Sequence, residues 1–154
     1  MKTNFTNQQP SLGPELYDKD YYLKSLPGLE YLEKDKVDPT ISKTIQFGSI
    51  TAGDRVLDFG CGRGNLVIEL ARRGVYAVGV DFSENAVEFA KSYVTQFSEG
   101  IRNRSQFFQF TINELQFENE FDKIVFNQVY EHLHDWELKI LIEKYKIGFY
   151  YPPN

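Results

Sequence analysis

Residues 56–65 read VLDFGCGRGN, an apolar run that leads directly into three glycines at alternate positions. The apolar residues predict a buried strand, and the apolar spacing from Asn65 to Arg73 predicts a helix after the glycines. Glycine has no Cβ, so it permits a tight turn between strand and helix and lets a ligand approach the backbone. This stretch therefore predicts a ligand-binding loop at the carboxyl end of a strand.

A carboxylate at the end of the next strand supports this interpretation. Val75 to Asp81 (VYAVGVD) is a nearly continuous apolar run, which predicts a strand covered on both faces. Asp81 ends this run 21 residues after Gly60, where a carboxylate can accept hydrogen bonds from both ribose hydroxyls. The alternative role for Asp81 is to cap the following helix, whose predicted N-cap is Ser83.

The details of the glycine loop bear on which nucleotide it holds. The dinucleotide fingerprint requires a sixth-position glycine where this chain has Asn65, and no Gly-Lys-Ser/Thr of a phosphate loop follows. Asp58 lies two residues before the first glycine, where its carboxylate would repel a pyrophosphate. The pattern favours a cationic or amine-bearing ligand.

The remaining pattern predicts an α/β fold with a mostly parallel sheet. Two further strands are predicted at Gln106–Thr111 and Lys123–Gln128, and two further helices at about Thr40–Phe47 and Asp135–Tyr145. We divide the chain into a flexible tail at 1–14, an N-terminal helical cap at 15–50 and a core at 51–154.

Composition limits the class of protein. The chain has 154 residues, 42% hydrophobic and 25% charged, as expected for one globular domain. A net charge of −5 argues against nucleic acid as a partner. One Cys and two His cannot build a closed zinc site, so no metal is expected. No apolar run approaches the roughly 20 residues that cross a membrane, and we expect a cytoplasmic protein.

Three stretches together resemble a known family. VLDFGCGRGN at 56–65 resembles the first motif of class I S-adenosylmethionine-dependent methyltransferases, and VGVDFSENAVEFAK at 78–91 resembles their second. FDKIVFNQVYEHLHDWE at 121–137 is similar to the fourth-strand segment of the members that act on small molecules. The resemblance implies a Rossmann-like three-layer α/β/α sandwich. It also implies S-adenosyl-L-methionine as cofactor and methyl transfer to an oxygen or nitrogen atom of a small-molecule acceptor.

The resemblance also assigns cofactor-binding residues. It implies that Asp58 and the glycine loop surround the methionine part, that Asp81 binds the ribose hydroxyls, and that Phe82 covers the adenine face. Family members commonly have an acid where Thr111 aligns, so Asn113 or Glu114 would replace it at the adenine edge. The cofactor-binding residues expected on this basis are Asp58, Gly60, Cys61, Gly62, Gly64, Asp81, Phe82, Ile112, Asn113 and Gln128.

Two residues after the fourth strand are candidates for catalysis. A hydroxyl or amine acceptor needs a base, and Glu131 or His132 would lie at the mouth of the pocket. The alternative is that this Glu-His pair belongs to the segment without a catalytic duty, as it often does in the resembling family.

The last residues depart from the family plan. Members normally continue into a fifth strand and complete a seven-stranded sheet, whereas this chain ends in KIGFYYPPN at 146–154. We therefore expect a C-terminally truncated fold with about four or five of the seven strands, and self-association through an exposed sheet edge. A catalytically inactive cofactor-binding fragment and, less favoured, an NAD(P)-binding oxidoreductase stay open as alternatives.

Overall fold

The computed structural model describes residues 31, 36–110, 114, 120–127, 129 and 133–145, and the features below belong to this part of the chain. After the first helix, a strand and a helix alternate twice, and a short helix, two strands and a last helix follow. In order the helices and strands are α1 (Pro39–Phe47), β1 (Arg55–Phe59), α2 (Asn65–Arg72), β2 (Tyr76–Asp81), α3 (Glu84–Val94), α4 (Glu99–Arg102), β3 (Ser105–Gln109), β4 (Lys123–Val125) and α5 (Asp135–Tyr145).

The four strands form one parallel sheet in the order β3-β2-β1-β4. Asp58 near the end of β1 pairs with Gly79 in β2 and with Val125 in β4. The carboxyl ends of β1 and β2 therefore meet at one edge of the sheet, which is where ligands bind in open α/β folds.

Apolar side chains fill both faces of the sheet. One cluster joins Val56, Ala77 and Phe107 to helices α1, α2 and α3. The other joins Leu57, Phe59 and Val80 to Leu141 of α5. Alternate strand residues point to opposite faces, so each cluster draws on every second position of β1 and β2. The predicted Rossmann-like α/β/α sandwich with a parallel sheet is confirmed, with four strands in the described residues.

Strands β3 and β4 are shorter than the sequence predicted. Pairing with β2 stops at Gln109, and pairing with β1 stops at Val125. Phe110 and Phe126 continue the apolar runs, but they pack into the cluster around Leu57 without belonging to a strand. An apolar run reports burial, whereas the length of a strand depends on the neighbour that pairs with it.

The prediction that β2 is covered on both faces was partly wrong. Tyr76, at its amino end, is 52% exposed, and Val78 is half-buried. The Arg104 side chain lies over the Tyr76 ring, with its guanidinium carbon 5.8 Å from the ring centroid, a contact that stabilises an aromatic ring at the surface.

The N-terminal cap is described only at Tyr31 and from Lys36 onward. Helix α1 begins at Pro39, one residue before the predicted start, because Asp38 is its N-cap and accepts a hydrogen bond of 2.7 Å from the Thr40 amide. The predicted flexible tail lies outside the described residues. Among those described, no helix is both long and apolar enough to cross a membrane.

Candidate cofactor site

The glycine loop, residues 60–64, joins the end of β1 to the start of α2. Gly60 and Gly64 adopt left-handed backbone conformations, with φ of +77° and +80°. A Cβ on Gly60 would lie 2.3 Å from Val129 Cγ2, and one on Gly64 would lie 2.6 Å from Phe107 Cε1. The space that these glycines leave is thus filled by the protein itself, and the close packing and the left-handed backbone both require glycine at these positions.

The backbone N–H groups of this loop are directed into the protein. Gly60 and Cys61 both donate to the Val80 carbonyl, at 2.8 and 3.0 Å, and Gly64 donates to the Cys61 carbonyl at 2.9 Å. Gly62 donates to the Asp81 carboxylate at 2.9 Å. Loops that bind phosphate point such groups at the anion. Here four of them already have partners within the chain.

Asp81 is fixed in place by two of its neighbours. Its side chain is 6% exposed and accepts hydrogen bonds of 2.9 Å from the amides of Gly62 and Ser83. Ser83 is the N-cap of α3, as predicted, and its hydroxyl accepts from the Ala86 amide. Burial raises the pKa of Asp81, and the two backbone hydrogen bonds partly oppose that increase. Asp81 therefore joins the loop, β2 and α3 at one point.

Asp58 is buried more deeply than Asp81 and, among the described residues, receives no such backbone hydrogen bonds. Its side chain is 3% exposed, and burial raises the pKa of its carboxyl to about 7, with the nearby charge of Asp81 adding to the effect. Within the described residues, no hydrogen bond to Asp58 lowers this pKa. The two carboxyls at this edge of the sheet are thus in different electrostatic environments.

The Cys61 side chain belongs to the protein core. A Cβ on Gly79 of β2 would lie 2.8 Å from Cys61 Sγ, so Gly79 provides the space that this thiol occupies. Burial, followed by the charges of Asp58 and Asp81, raises the pKa of the thiol well above its usual range. A buried thiol with a raised pKa is a poor nucleophile, and Cys61 forms the loop through its backbone.

Arg63 is the residue that sequence reasoning missed. Its side chain is 1% exposed although it lies in a short loop between two glycines. Arginine is among the residues most seldom fully buried, so nothing in its type or position predicts this burial.

The other predicted site residues are only partly described. Phe82 is half-buried next to Asp81, and its carbonyl accepts a hydrogen bond of 3.1 Å from Gln109 Nε2, which joins the ends of β2 and β3. The remaining five residues lie outside the described residues, so their predicted roles stay predictions: Ile112, Asn113, Gln128, Glu131 and His132.

The histidine that is described, His134, has a structural contact. Its backbone amide donates to the Glu137 carboxylate at 2.8 Å, and its carbonyl accepts from the Glu137 amide at 2.9 Å. The Glu137 carboxylate thus makes the contact that the third helical residue makes in a capping box, by accepting from the amide that precedes α5. In the described part of the chain, no group of three or more His, Cys, Asp or Glu side chains could hold a metal ion.

The arrangement fits a cationic cofactor and not a pyrophosphate. Two buried carboxyls flank the loop, and the loop's N–H groups at Gly60, Cys61, Gly62 and Gly64 are engaged within the protein. A pyrophosphate would have to displace those bonds and approach two acidic groups. A ligand with an amine, a sulfonium and ribose hydroxyls would meet acceptors of the right charge.

Comparison with known proteins agrees with this site. The sequence profile of the family described as "Methyltransferase domain" matches residues 56–146, more than half of the chain. The chain belongs to this family. The matched region begins with β1 and includes the glycine loop, Asp58 and Asp81. It is a class I methyltransferase domain.

A curated relative and two solved structures illustrate the similarity. The ubiquinone biosynthesis O-methyltransferase of Coxiella burnetii is 32% identical over 99 residues, which are 64% of this chain and 41% of that protein. The YcgJ protein of Bacillus subtilis is 29% identical with a TM-score of 0.55, over 63% of this chain and 41% of that one. The glycopeptide N-methyltransferase MtfA, solved with S-adenosyl-L-methionine, has the same fold at 14% identity, with a TM-score of 0.61 over 70% of this chain and 48% of that one.

Proposed function

We propose that this methyltransferase domain binds S-adenosyl-L-methionine and transfers the methyl group to an oxygen or nitrogen atom of a small-molecule acceptor. The observation that carries the proposal is the pair of buried carboxyls, Asp58 and Asp81, around a loop whose N–H groups are used within the protein. The chain spans about two fifths of the length of the curated relative.

Each described residue has a role in this proposal. The bound cofactor supplies a reactive methyl group, so the protein's task is mainly binding and alignment. Asp81 has its carboxylate fixed by the amides of Gly62 and Ser83, and the free lone pairs of its oxygens are proposed to accept the ribose hydroxyls. Asp58 is proposed to face the cationic methionine part, and Phe82 the adenine.

The acceptor side is proposed from the sequence and from relatives. The printed names of the relatives include an O-methyltransferase and an N-methyltransferase, which supports an oxygen or nitrogen nucleophile. Glu131 or His132 is proposed as the base that takes the acceptor's proton. Asn113 and Ile112 are proposed at the adenine edge, and Gln128 in the same pocket. A cytoplasmic location and the absence of a nucleic-acid partner rest on the sequence alone.

Calorimetric titration tests the cofactor. We expect saturable binding of S-adenosylmethionine and S-adenosylhomocysteine, and no binding of NADH, because the engaged loop N–H groups leave no site for a pyrophosphate. S-Adenosylhomocysteine should also raise the melting temperature, with up to about 2.7 kcal/mol of added stability at a hundredfold excess over its dissociation constant.

The controls distinguish the three functions considered for this chain. Binding of NADH in preference to S-adenosylhomocysteine would support the oxidoreductase alternative and overturn the proposal. Binding of the methyl donor without methyl transfer to any phenol, catechol or amine supplied would support the inactive cofactor-binding alternative. Transfer is measured as S-adenosylhomocysteine formed, with Asp81→Ala as the variant expected to bind neither donor nor product.

A further inference from the structure

Two buried acids lie on the same face of the sheet at the ends of adjacent strands. Asp58 pairs with Gly79, and Asp81 is two residues farther along β2, so both side chains point to the face covered by α2 and α3. Strand spacing and rise place their Cα atoms on the order of 8 Å apart. Two carboxylates this close and this buried repel each other if both are charged.

Their hydrogen bonds decide which of the two keeps its charge. Asp81 accepts from the amides of Gly62 and Ser83, and such bonds stabilise a carboxylate. Asp58 has no comparable support among the described residues, and burial followed by the charge of Asp81 raises its pKa to about 7. Asp81 is therefore the charged member and Asp58 the member that takes a proton.

Among the described residues, the other charged groups around Asp58 do not neutralise its carboxylate in place of the proton. Cys61, on the loop, is a buried neutral thiol whose pKa is raised well above its usual range. Arg63 is buried in the same loop, yet the pKa of Asp58 is raised and not lowered. On β4, Asp58 faces the apolar Val125, and Lys123 at the other end of that strand is paired with Asp54.

We propose that Asp58 holds a proton while the site is empty and releases it to solvent when a cationic ligand binds, so that the site exchanges a proton for the charge of its cofactor. This inference rests on the proposed function and concerns how the same site recognises charge. In the exchange the O–H bond of Asp58 breaks, the proton passes to the buffer, and the positive charge of the ligand takes its place beside the carboxylate. No oxidant or further reactant is needed.

The exchange couples cofactor affinity to pH. Below the pKa of Asp58, about 7, a ligand that displaces one proton should bind about tenfold more tightly for each unit of pH increase. Above it, this dependence should disappear, and affinity should follow only the protonation of the ligand's own amine. S-Adenosylmethionine carries both an ammonium and a sulfonium, its product S-adenosylhomocysteine carries only the ammonium, and adenosine carries neither. These three ligands therefore distinguish the two sources of positive charge.

Calorimetry at about pH 6 in buffers of different ionisation enthalpy counts the protons released, and at this pH the ligand's own amine, with a pKa near 8, is fully charged. We expect close to one proton per site for S-adenosylmethionine and none for adenosine. Release with S-adenosylhomocysteine as well assigns the exchange to the ammonium, and its absence assigns it to the sulfonium. Either result supports the inference.

Two variants and one further measurement complete the test. Asp58→Asn should release no proton on binding S-adenosylmethionine, whereas Asp54→Asn, at the opposite end of the sheet, should release as much as the wild type. A carboxyl-carbon NMR titration of the empty protein should show Asp58 titrating near neutral pH. If the cofactor binds without proton release, or if Asp58 titrates at its ordinary value, the inference is wrong and the proposed function stands. If no cofactor binds, both fail.

Discussion

At the scale of single residues, Asp58 and Asp81 show how backbone hydrogen bonds differentiate two identical side chains. Both are aspartates, both are buried, and both lie near the ends of neighbouring strands. Asp81 receives two backbone N–H donors, because the loop returns past it and α3 begins beside it. Asp58 lies within β1, where the backbone N–H groups form the hydrogen bonds of the sheet. Burial and the like charge of Asp81 therefore raise the pKa of its carboxyl.

The raised pKa of Asp58 predicts how the stability of the empty protein depends on pH. The folded protein keeps on Asp58 a proton that the unfolded chain releases at its ordinary pKa of 3.8. The contribution of Asp58 to the free energy of unfolding therefore falls as pH rises from about 4 to about 7, and is level above that.

Asp58→Asn removes this dependence, because asparagine stays neutral. We expect the variant to gain on the order of 2–3 kcal/mol over the wild type between about pH 5 and about pH 8. Urea unfolding at both pH values measures the gain. A constant difference between the two proteins would show that Asp58 titrates alike in the folded and unfolded states.

Substitution of Asp81, in contrast, should destabilise the protein. In Asp81→Ala the amides of Gly62 and Ser83 both lose their acceptor, at a cost of about 1–3 kcal/mol for each buried donor left unpaired. Asp81→Asn keeps one oxygen and should lose less. Thermal unfolding of both variants measures the order, and equal stabilities would contradict the contacts described for Asp81.

At the scale of elements, the glycine loop predicts which glycines tolerate a methyl group. Gly60→Ala should lower the free energy of unfolding by roughly 2–5 kcal/mol, because the left-handed backbone and the contact with Val129 are both unfavourable to a Cβ. Gly53 is the matched control, since it has φ of +91° but nothing within 4 Å of an added Cβ. Gly53→Ala should lose only about 1–2 kcal/mol.

A second variant separates the two causes of the Gly60 loss. Val129→Ala removes the side chain that an added Cβ would meet, so the double variant should recover the steric part of the loss and keep the backbone part. Denaturant unfolding of the four proteins gives the coupling between the two positions. Independent losses would place the cause in the backbone alone.

The elements around the site were predictable because short-range signals mark their ends. Gly60 and Gly64 mark the turn between β1 and α2, and Ser83 marks the start of α3, so these boundaries follow from local chemistry. The ends of β3 and β4 were predicted too far along the chain: β3 ends opposite Asp81, the last residue of β2, and β4 ends opposite Asp58, one residue before the end of β1. The short helix α4 was not predicted at all.

At the scale of the whole molecule, the position of the site followed from the sequence but its electrostatics did not. Residue types and spacing placed Asp58, Asp81 and the glycine loop at one edge of a parallel sheet, and the structure confirms that placement. The direction of the loop N–H groups and the different states of the two acids depend on contacts between the loop and β2, which are separated in sequence. The burial of Arg63 was not predicted either. Local sequence patterns do not predict such contacts.

The predicted self-association belongs to this scale as well. In the described residues β4 pairs with β1 along one side, and it is the terminal strand of the sheet order. Unpaired N–H and C=O groups on an edge strand pair readily with another strand. We expect the mass of the isolated chain, measured by light scattering, to increase with concentration. A monomer at every concentration would contradict this prediction.

Because Cys61 packs against Gly79, the reactivity of its thiol reports the motion of the glycine loop. The sequence contains one cysteine, and its thiol is enclosed against β2 beneath the glycine loop. A thiol reagent can reach it only when the loop separates from the sheet, so the rate of labelling measures how often that opening occurs. No residue needs to be added or removed for the measurement, and a ligand that closes the loop would slow the labelling in proportion to its occupancy.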